Sequence, residues 1–290
     1  VHHVLVSIDL FPNNSIVTTP NCMGPTGDML YAYAPGSVAL TYPTNTSNSF
    51  GVELPANSNI TLAMHYPEGS FGQVDSTKVR FYFYPQSTVI REITTDFLIN
   101  EGLFGIPFVL PPNQIAEITG SFGPTSQDYS FMSVFPHMHL LGKDMQCMAV
   151  TPTNDTINLI RINNWDFEWQ GFYFYQTFIK IPAGSMIYAK GNYDNTVSAT
   201  NPNPVTVQSG LNTEDEMFIF IFQFLPYQLG DENIFIENNT TTTTYNIPIN
   251  TPKGELIKIT DILGRKTKGT NQPLFYIYDD GTVEKKIILE

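Results

Sequence analysis

The chain of 290 residues holds five histidines, and four of them fall in two tight groups, His2-His3 and His137-Met138-His139. Imidazole suits transition-metal ligation at neutral pH, because its unperturbed pKa lies near ~6.5 and the neutral ring offers a lone pair. On a β-strand, residues i and i+2 project from one face about 6 to 7 Å apart, so His137 and His139 can converge on one ion. Adjacent strand residues point to opposite faces, so His2 and His3 can share an ion only at a strand end, bulge or turn. His65 closes an apolar run in Met64-His65-Tyr66-Pro67 and, read alone, is more often a core histidine with a satisfied hydrogen bond. Copper, zinc, iron and nickel all accept imidazole, so these residues leave the metal open.

The elements that must carry these residues read as strands. Phe, Tyr, Val, Ile and Thr are abundant while Lys, Glu and Ala are sparse, which favours an all-β chain. Val4–Val6, Ser37–Tyr42, Asn59–Tyr66 and Val79–Tyr84 form a first group of runs, and Pro85-Gln86-Ser87 is the candidate boundary. Tyr129–Val134, Met145–Val150, Ile157–Ile162, Phe172–Ile179, Ser185–Lys190 and Met217–Leu225 form a second, with the spacing of a sandwich or jelly roll. The polar tract Asn238-Asn239-Thr240-Thr241-Thr242-Thr243-Thr244 reads as a linker. Beyond it, Leu256–Ile259, Leu274–Tyr278 and Glu284–Leu289 alternate around turns and predict a small β module. The expected organisation is two tandem jelly-roll-like β-sandwich domains over 1–86 and 87–228, a linker over 229–251, and a β module over 252–290.

Composition excludes some functions. A net charge of −13 with 14 Lys plus Arg provides no basic stripe, so nucleic acid is not an expected partner. No apolar run approaches the ~18 residues of a transmembrane helix, and Val1-His2-His3 is no signal peptide. Cys22 and Cys147 are too few for a disulfide framework, and each reads as a buried apolar side chain.

In their order along the chain these features resemble the copper type II, ascorbate-dependent monooxygenases, the group of peptidylglycine α-hydroxylating monooxygenase and dopamine β-monooxygenase. The resemblance runs over about 1–227. It is carried by His2-His3, Tyr33-Ala34-Pro35-Gly36, Tyr42-Pro43, Met64-His65-Tyr66, His137-Met138-His139-Leu140 with Gly142-Lys143, Tyr193-Asp194-Asn195-Thr196 and Glu214-Asp215-Glu216-Met217. It implies that His2, His3 and His65 hold an electron-transfer copper and that His137, His139 and Met217 hold an oxygen-activating copper. Ascorbate or an equivalent reductant would serve both, and the product would be a hydroxylated C–H bond. A thioether independently favours Cu(I) over zinc or iron, which fits Met217 in the second set. Alone, Met217 would read as a core residue.

Departures qualify what the resemblance implies. The peptide hydroxylase carries a carboxylate-binding arginine two residues before its histidine pair, where this chain has Phe135, and polar substrate contacts there are replaced by Ile219 and Ile221. A peptide carboxylate is therefore not the expected substrate. In the family a strand-rich segment precedes the His-His pair, so the first domain is expected to be truncated at its start and its metal site to be the weaker one. The tail, with Asp261-Ile262-Leu263-Gly264-Arg265 and Tyr276-Ile277-Tyr278-Asp279-Asp280-Gly281, resembles the C-terminal sorting domain of bacterial type IX secretion. That resemblance implies the type IX machinery as a partner and a secreted or cell-surface location in a Gram-negative bacterium. Two other readings stay open: a copper-binding surface protein without catalysis, and a β-sandwich adhesin or glycan-binding module using Trp165, Trp169, Phe172 and Tyr173.

Overall fold

The computed structural model describes residues 3–9, 27–34, 37, 39–44, 48–66, 69–100, 108–210, 212–236, 255–261, 265–267, 273–279 and 283–287. His2, Cys22, Pro35-Gly36 and the polar tract expected to be a linker lie outside the described residues. The chain divides into two compact units, 1–240 and 241–290. The described residues are almost entirely strand and loop, an all-β chain with sandwich-like sheets. No helix among them is long and apolar enough to cross a membrane.

The first unit opens with β1 (His3–Asp9), β2 (Asp28–Tyr33), β3 (Ser49–Gly51), β4 (Asn59–His65) and β5 (Ile90–Glu92). β1 lies between β2 and β4 in an antiparallel sheet, and β3 pairs with β5 in parallel. Val4, Val6 and Ile8 fill one face of β1 with Leu30 and Met64, leaving His3, Leu5 and Ser7 on the other. Ser37–Tyr42 and Val79–Tyr84 differ from expectation. Both lie outside the sheets wherever they are described, and Tyr82 and Phe83 are exposed. Strand propensity is realised only where a neighbouring ladder accepts the backbone groups.

β6 (Thr94–Ile99), β7 (Val109–Leu110), β8 (Ile115–Phe122), β9 (Tyr129–His137), β10 (Gly142–Val150), β11 (Thr156–Ile162), β12 (Tyr173–Ile181), β13 (Met186–Asp194), β14 (Val207–Gln208) and β15 (Ile219–Pro226) follow. They build two four-stranded sheets, ordered β11-β10-β13-β8 and β12-β9-β15-β6, with β7 and β14 as a short ribbon. Phe218, Phe220, Phe222 and Phe224 pack between the sheets with Phe131, Met145, Cys147 and Tyr193. Ile221, between them, and Leu225, just after them, point the other way. Ile221 meets Met29, Ala32 and Phe135, while Leu225 meets Phe50, Ile93, Met132 and Phe178. The β9–β15 sheet is therefore apolar on both faces, with residues of the N-terminal strands covering the second. Burial is worth about 1.5–3 kcal/mol for each large apolar side chain against about 1 kcal/mol for a net hydrogen bond, so packing sets this arrangement.

After β15 the chain turns through a short 3-10 segment, Asp231–Asn233, and Ile236 joins the Phe50 cluster. Packed chain thus continues to Ile236, inside the span expected to open the linker. The second unit is an antiparallel sheet of β16 (Leu256–Thr260), β17 (Pro273–Tyr278) and β18 (Val283–Ile287). Beyond β16, Arg265 donates from its backbone N and Nε to Asp261 at 2.9 and 2.7 Å.

Candidate metal centre

The antiparallel register of β1 and β4 sets His3 directly opposite His65. Cross-strand partners share a face, and the two rings stand 6.1 Å apart between centroids at 75°. That face also carries Leu5, which packs in the Phe135–Ile221 cluster, so the pairing that forms the sheet also carries His3 towards the β9–β15 sheet. His2, the third residue expected here, lies outside the described residues.

His137 is the last residue of β9 and pairs with Ile219. His139 lies beyond the strand end, so the pair sits at a strand exit and not along a continuous strand as the spacing predicts. The rings nevertheless converge, 5.0 Å apart at 82°. The buried Glu216 carboxylate replaces the missing ladder, accepting the backbone N–H of Leu141 at 2.6 Å, of His139 at 2.9 Å and of Met217 at 3.2 Å. Burial pushes the Glu216 carboxyl up to about 7, opposed by those three amides, which favour its ionised form.

Each imidazole has an outer partner. His137 Nδ1 lies 2.6 Å from Gln170 Oε1, and His139 Nδ1 lies 2.9 Å from the Asp215 carbonyl oxygen. Both partners are acceptors, so Nδ1 carries the proton in each ring and Nε2 keeps its lone pair. This is the tautomer that a metal bound at Nε2 requires. Burial first, and then His139, pushes His137 down to about 3; burial also lowers His139. Both rings are therefore neutral at physiological pH.

Met217 follows Glu216 directly, and its carbonyl accepts the Tyr193 hydroxyl at 2.7 Å. The segment Asp215-Glu216-Met217 thus runs beside His139. Among the described residues no three His, Cys, Asp or Glu side chains converge on a metal geometry. What the described residues bring together is two histidine pairs, His137 with His139 and His3 with His65. Two neutral imidazoles held 5.0 Å apart, beside a segment that carries a methionine, are a donor set compatible with copper.

The loop between β11 and β12 supports the site from outside. Trp165 Nε1 donates to the His139 carbonyl at 3.0 Å, and a turn over Asp166–Trp169 is closed by a Trp169 N–H to Asp166 O bond of 3.0 Å. The Phe167 ring lies 6.0 Å from His139 and 6.4 Å from His3, edge-on to both. Phe172 packs on Phe135 at 5.2 Å and stacks on Tyr31 at 5.9 Å, while Trp169 is 47% exposed. Sequence reading assigned no role to Gln170, Phe167 or Glu216. Only Glu216, beside a soft donor in an acidic run, left any signal.

Phe135 and Ile221 are both buried in the seam against Met29 and Ala32. A cavity of about 400 Å³ is lined by Asp96, Phe122, Tyr129, Phe131 and Phe224. It lies at the other end of the same strands, where Tyr129 pairs with Pro226. Cys147 is a free, buried thiol raised above its usual range by desolvation.

Residues 108–244 match the family described as copper type II ascorbate-dependent monooxygenase, C-terminal domain, a span just under half of the chain. The match includes His137, His139 and Met217 and leaves His2, His3 and His65 outside it. No curated protein matches the chain. Among solved structures, a similarity is found to one titled structure of infectious bursal disease virus Gt strain, at 8% identity and a TM-score of 0.24. It covers 79% of this chain and 60% of that one, so this chain spans less than two thirds of the viral chain's length.

Proposed function

We propose that the chain is a dicopper monooxygenase that hydroxylates a C–H bond using O₂ and an ascorbate-like reductant. The observation that carries this reading is the convergence of His137 and His139, 5.0 Å apart and each with Nδ1 on an acceptor, inside the span that matches the copper monooxygenase family. His137, His139 and Met217 hold the oxygen-activating ion, and His2, His3 and His65 the electron-transfer ion. Copper held by these residues would supply the activation of O₂ for insertion of one oxygen atom into the substrate. The chain's own residues hold the imidazoles neutral, fix their planes through Gln170 and the Asp215 carbonyl, and surround them with apolar groups. Phe135, 6.3 Å from His137, stands with Ile219 and Ile221 where the resemblance would place polar substrate contacts, so a carboxylate-bearing substrate is not expected.

The organisation that goes with this reading is an N-terminal copper domain over 1–86 and an oxygen-activating domain over 87–228. A linker within 229–251, beginning after the packed Ile236, leads to a type IX sorting module over 252–290, and with it goes a location outside a Gram-negative cell.

Ascorbate-driven O₂ uptake by the copper-loaded chain tests the reading. Uptake should vanish in His137→Ala and Met217→Ala; uptake unchanged by both substitutions refutes it. A second reading, copper binding without turnover, draws on the burial of Phe135 and Ile221 in a closed apolar seam. Two bound coppers with no hydroxylated product across apolar and polar substrate panels would support it over the first.

A further inference from the structure

The loop between β11 and β12 touches both histidine pairs. Asp166 initiates its turn, accepting the Glu168 N–H on Oδ1 at 3.0 Å. This turn displays Phe167. Gln170 then performs two tasks with one buried side chain: its Oε1 meets His137 Nδ1 at 2.6 Å, and its Nε2 donates to the Phe167 carbonyl at 2.7 Å. From that residue the Phe167 ring reaches His139 at 6.0 Å on one side and His3 at 6.4 Å on the other, and His3 stands 6.1 Å from His65. Edge-to-face contacts at these separations are attractive and orientation-dependent. An unbroken path of hydrogen bonds and ring contacts therefore runs from His137 through Gln170 and Phe167 to His3 and His65.

We propose that the Asp166–Gln170 turn couples the two histidine sites, with Phe167 as the positioning residue that sets the spacing and mutual orientation of the two histidine pairs. The inference rests on the dicopper reading above. A metal that fixes the plane of His137 holds Gln170, and Gln170 holds the backbone that presents Phe167 to His3. Occupancy of one site thereby preorganises the other, and by thermodynamic reciprocity the effect runs equally in both directions. Coupling through packed and hydrogen-bonded elements typically amounts to about 5- to 150-fold in affinity.

The two tryptophans of the chain, Trp165 and Trp169, both lie on this loop, so intrinsic fluorescence reports on it. The experiment titrates Cu(II) into the full chain and follows tryptophan quenching together with the electron paramagnetic resonance spectrum. Two equivalents should bind to the wild type, with dipolar broadening between them. Affinity of the His3/His65 site should fall at least about fivefold when the other site is emptied by His137→Ala with His139→Ala. In Phe167→Ala two equivalents should still bind, but the broadening should diminish and the favourable coupling should be lost, leaving only the direct electrostatic effect of one histidine pair on the other. Phe167→Tyr, which keeps the ring, should retain both. Phe167→Leu, which keeps apolar bulk without a ring, repeats the loss should the alanine variant fold poorly. Two ions bound with unaltered broadening and coupling in the alanine and leucine variants overturn this inference alone. Fewer than two ions in the wild type overturn it together with the dicopper reading.

Discussion

Replacing Gln170 with alanine isolates the outer partner of His137. The substitution deletes the acceptor 2.6 Å from His137 Nδ1 and the donor 2.7 Å from the Phe167 carbonyl, and Gln170 itself is only 6% exposed. Without the acceptor, the buried Nδ1–H loses its partner and the imidazole no longer prefers the tautomer with a free Nε2. Leaving a buried polar group unpaired costs about 1–3 kcal/mol, and tenfold in affinity corresponds to about 1.4 kcal/mol, so copper at this site should weaken by roughly 5- to 150-fold. Loss of such outer partners typically costs about 10–100-fold in metal affinity, which falls in the same range. Competition of copper between the folded protein and a chelator of known affinity measures the change, with urea unfolding run in parallel to separate site effects from global stability. Gln170→Glu should fall between wild type and alanine, since a carboxylate accepts from Nδ1 but repels the Phe167 carbonyl. Wild-type copper affinity in a fully folded Gln170→Ala protein would refute the assigned role.

Three further perturbations test the frame around the site. Glu216→Ala removes the acceptor of three backbone amides and should destabilise the fold by about 3–5 kcal/mol in urea titration, with Glu216→Gln costing less because one acceptor oxygen remains. Asp231 receives both Arg91 guanidinium nitrogens, the Ser130 hydroxyl and the Gln228 N–H; its own desolvation opposes them, yet its carboxyl lies below the usual range. Stability from this group is present above the unfolded carboxylate pKa of about 3.9 and is lost as pH falls through the lower folded value, so Asp231→Ala should flatten the acid limb of stability against pH and cost about 3–5 kcal/mol at pH 7. Copper at about 100 times its Kd should add about 2.7 kcal/mol, visible as a higher Tm that a chelator reverses and that His137→Ala abolishes.

Parts of this arrangement are legible in the chain itself. The alternation from Phe218 to Leu225 announces a strand with two apolar faces, and the crowding of four histidines into two short motifs announces metal chemistry. Residue spacing, however, does not reveal where a strand ends. His137 and His139 read as a same-face strand pair, whereas the ladder stops at His137 because the Glu216 carboxylate accepts the next backbone donors. Gln170 and Phe167 left no trace because their partners are remote in sequence: the Gln170 contact spans 33 residues, and the Phe167 contact to His3 depends on docking of the N-terminal sheet. Val79–Tyr84 shows the converse, with strong strand propensity and no ladder to join.

The seam between β1–β2 and the β9–β15 sheet links folding to the chemistry of the site. Phe135 and Ile221 replace polar groups expected from the resemblance, and the structure uses them as packing against Met29, Ala32 and, at the edge, Leu5. Leu5 lies two residues after His3 on the same face of β1, so the apolar contact that buries Leu5 also fixes where His3 stands relative to Phe167 and His139. A polar seam would separate more readily at the cost of that registration. An apolar one holds the histidine pairs in register, and substrate can reach Phe135 only if the seam parts. Changes at Met29 or Ala32 should therefore alter the communication between the two sites while leaving the hydrogen bonds of His137 and His139 intact, because no atom of either residue takes part in those bonds.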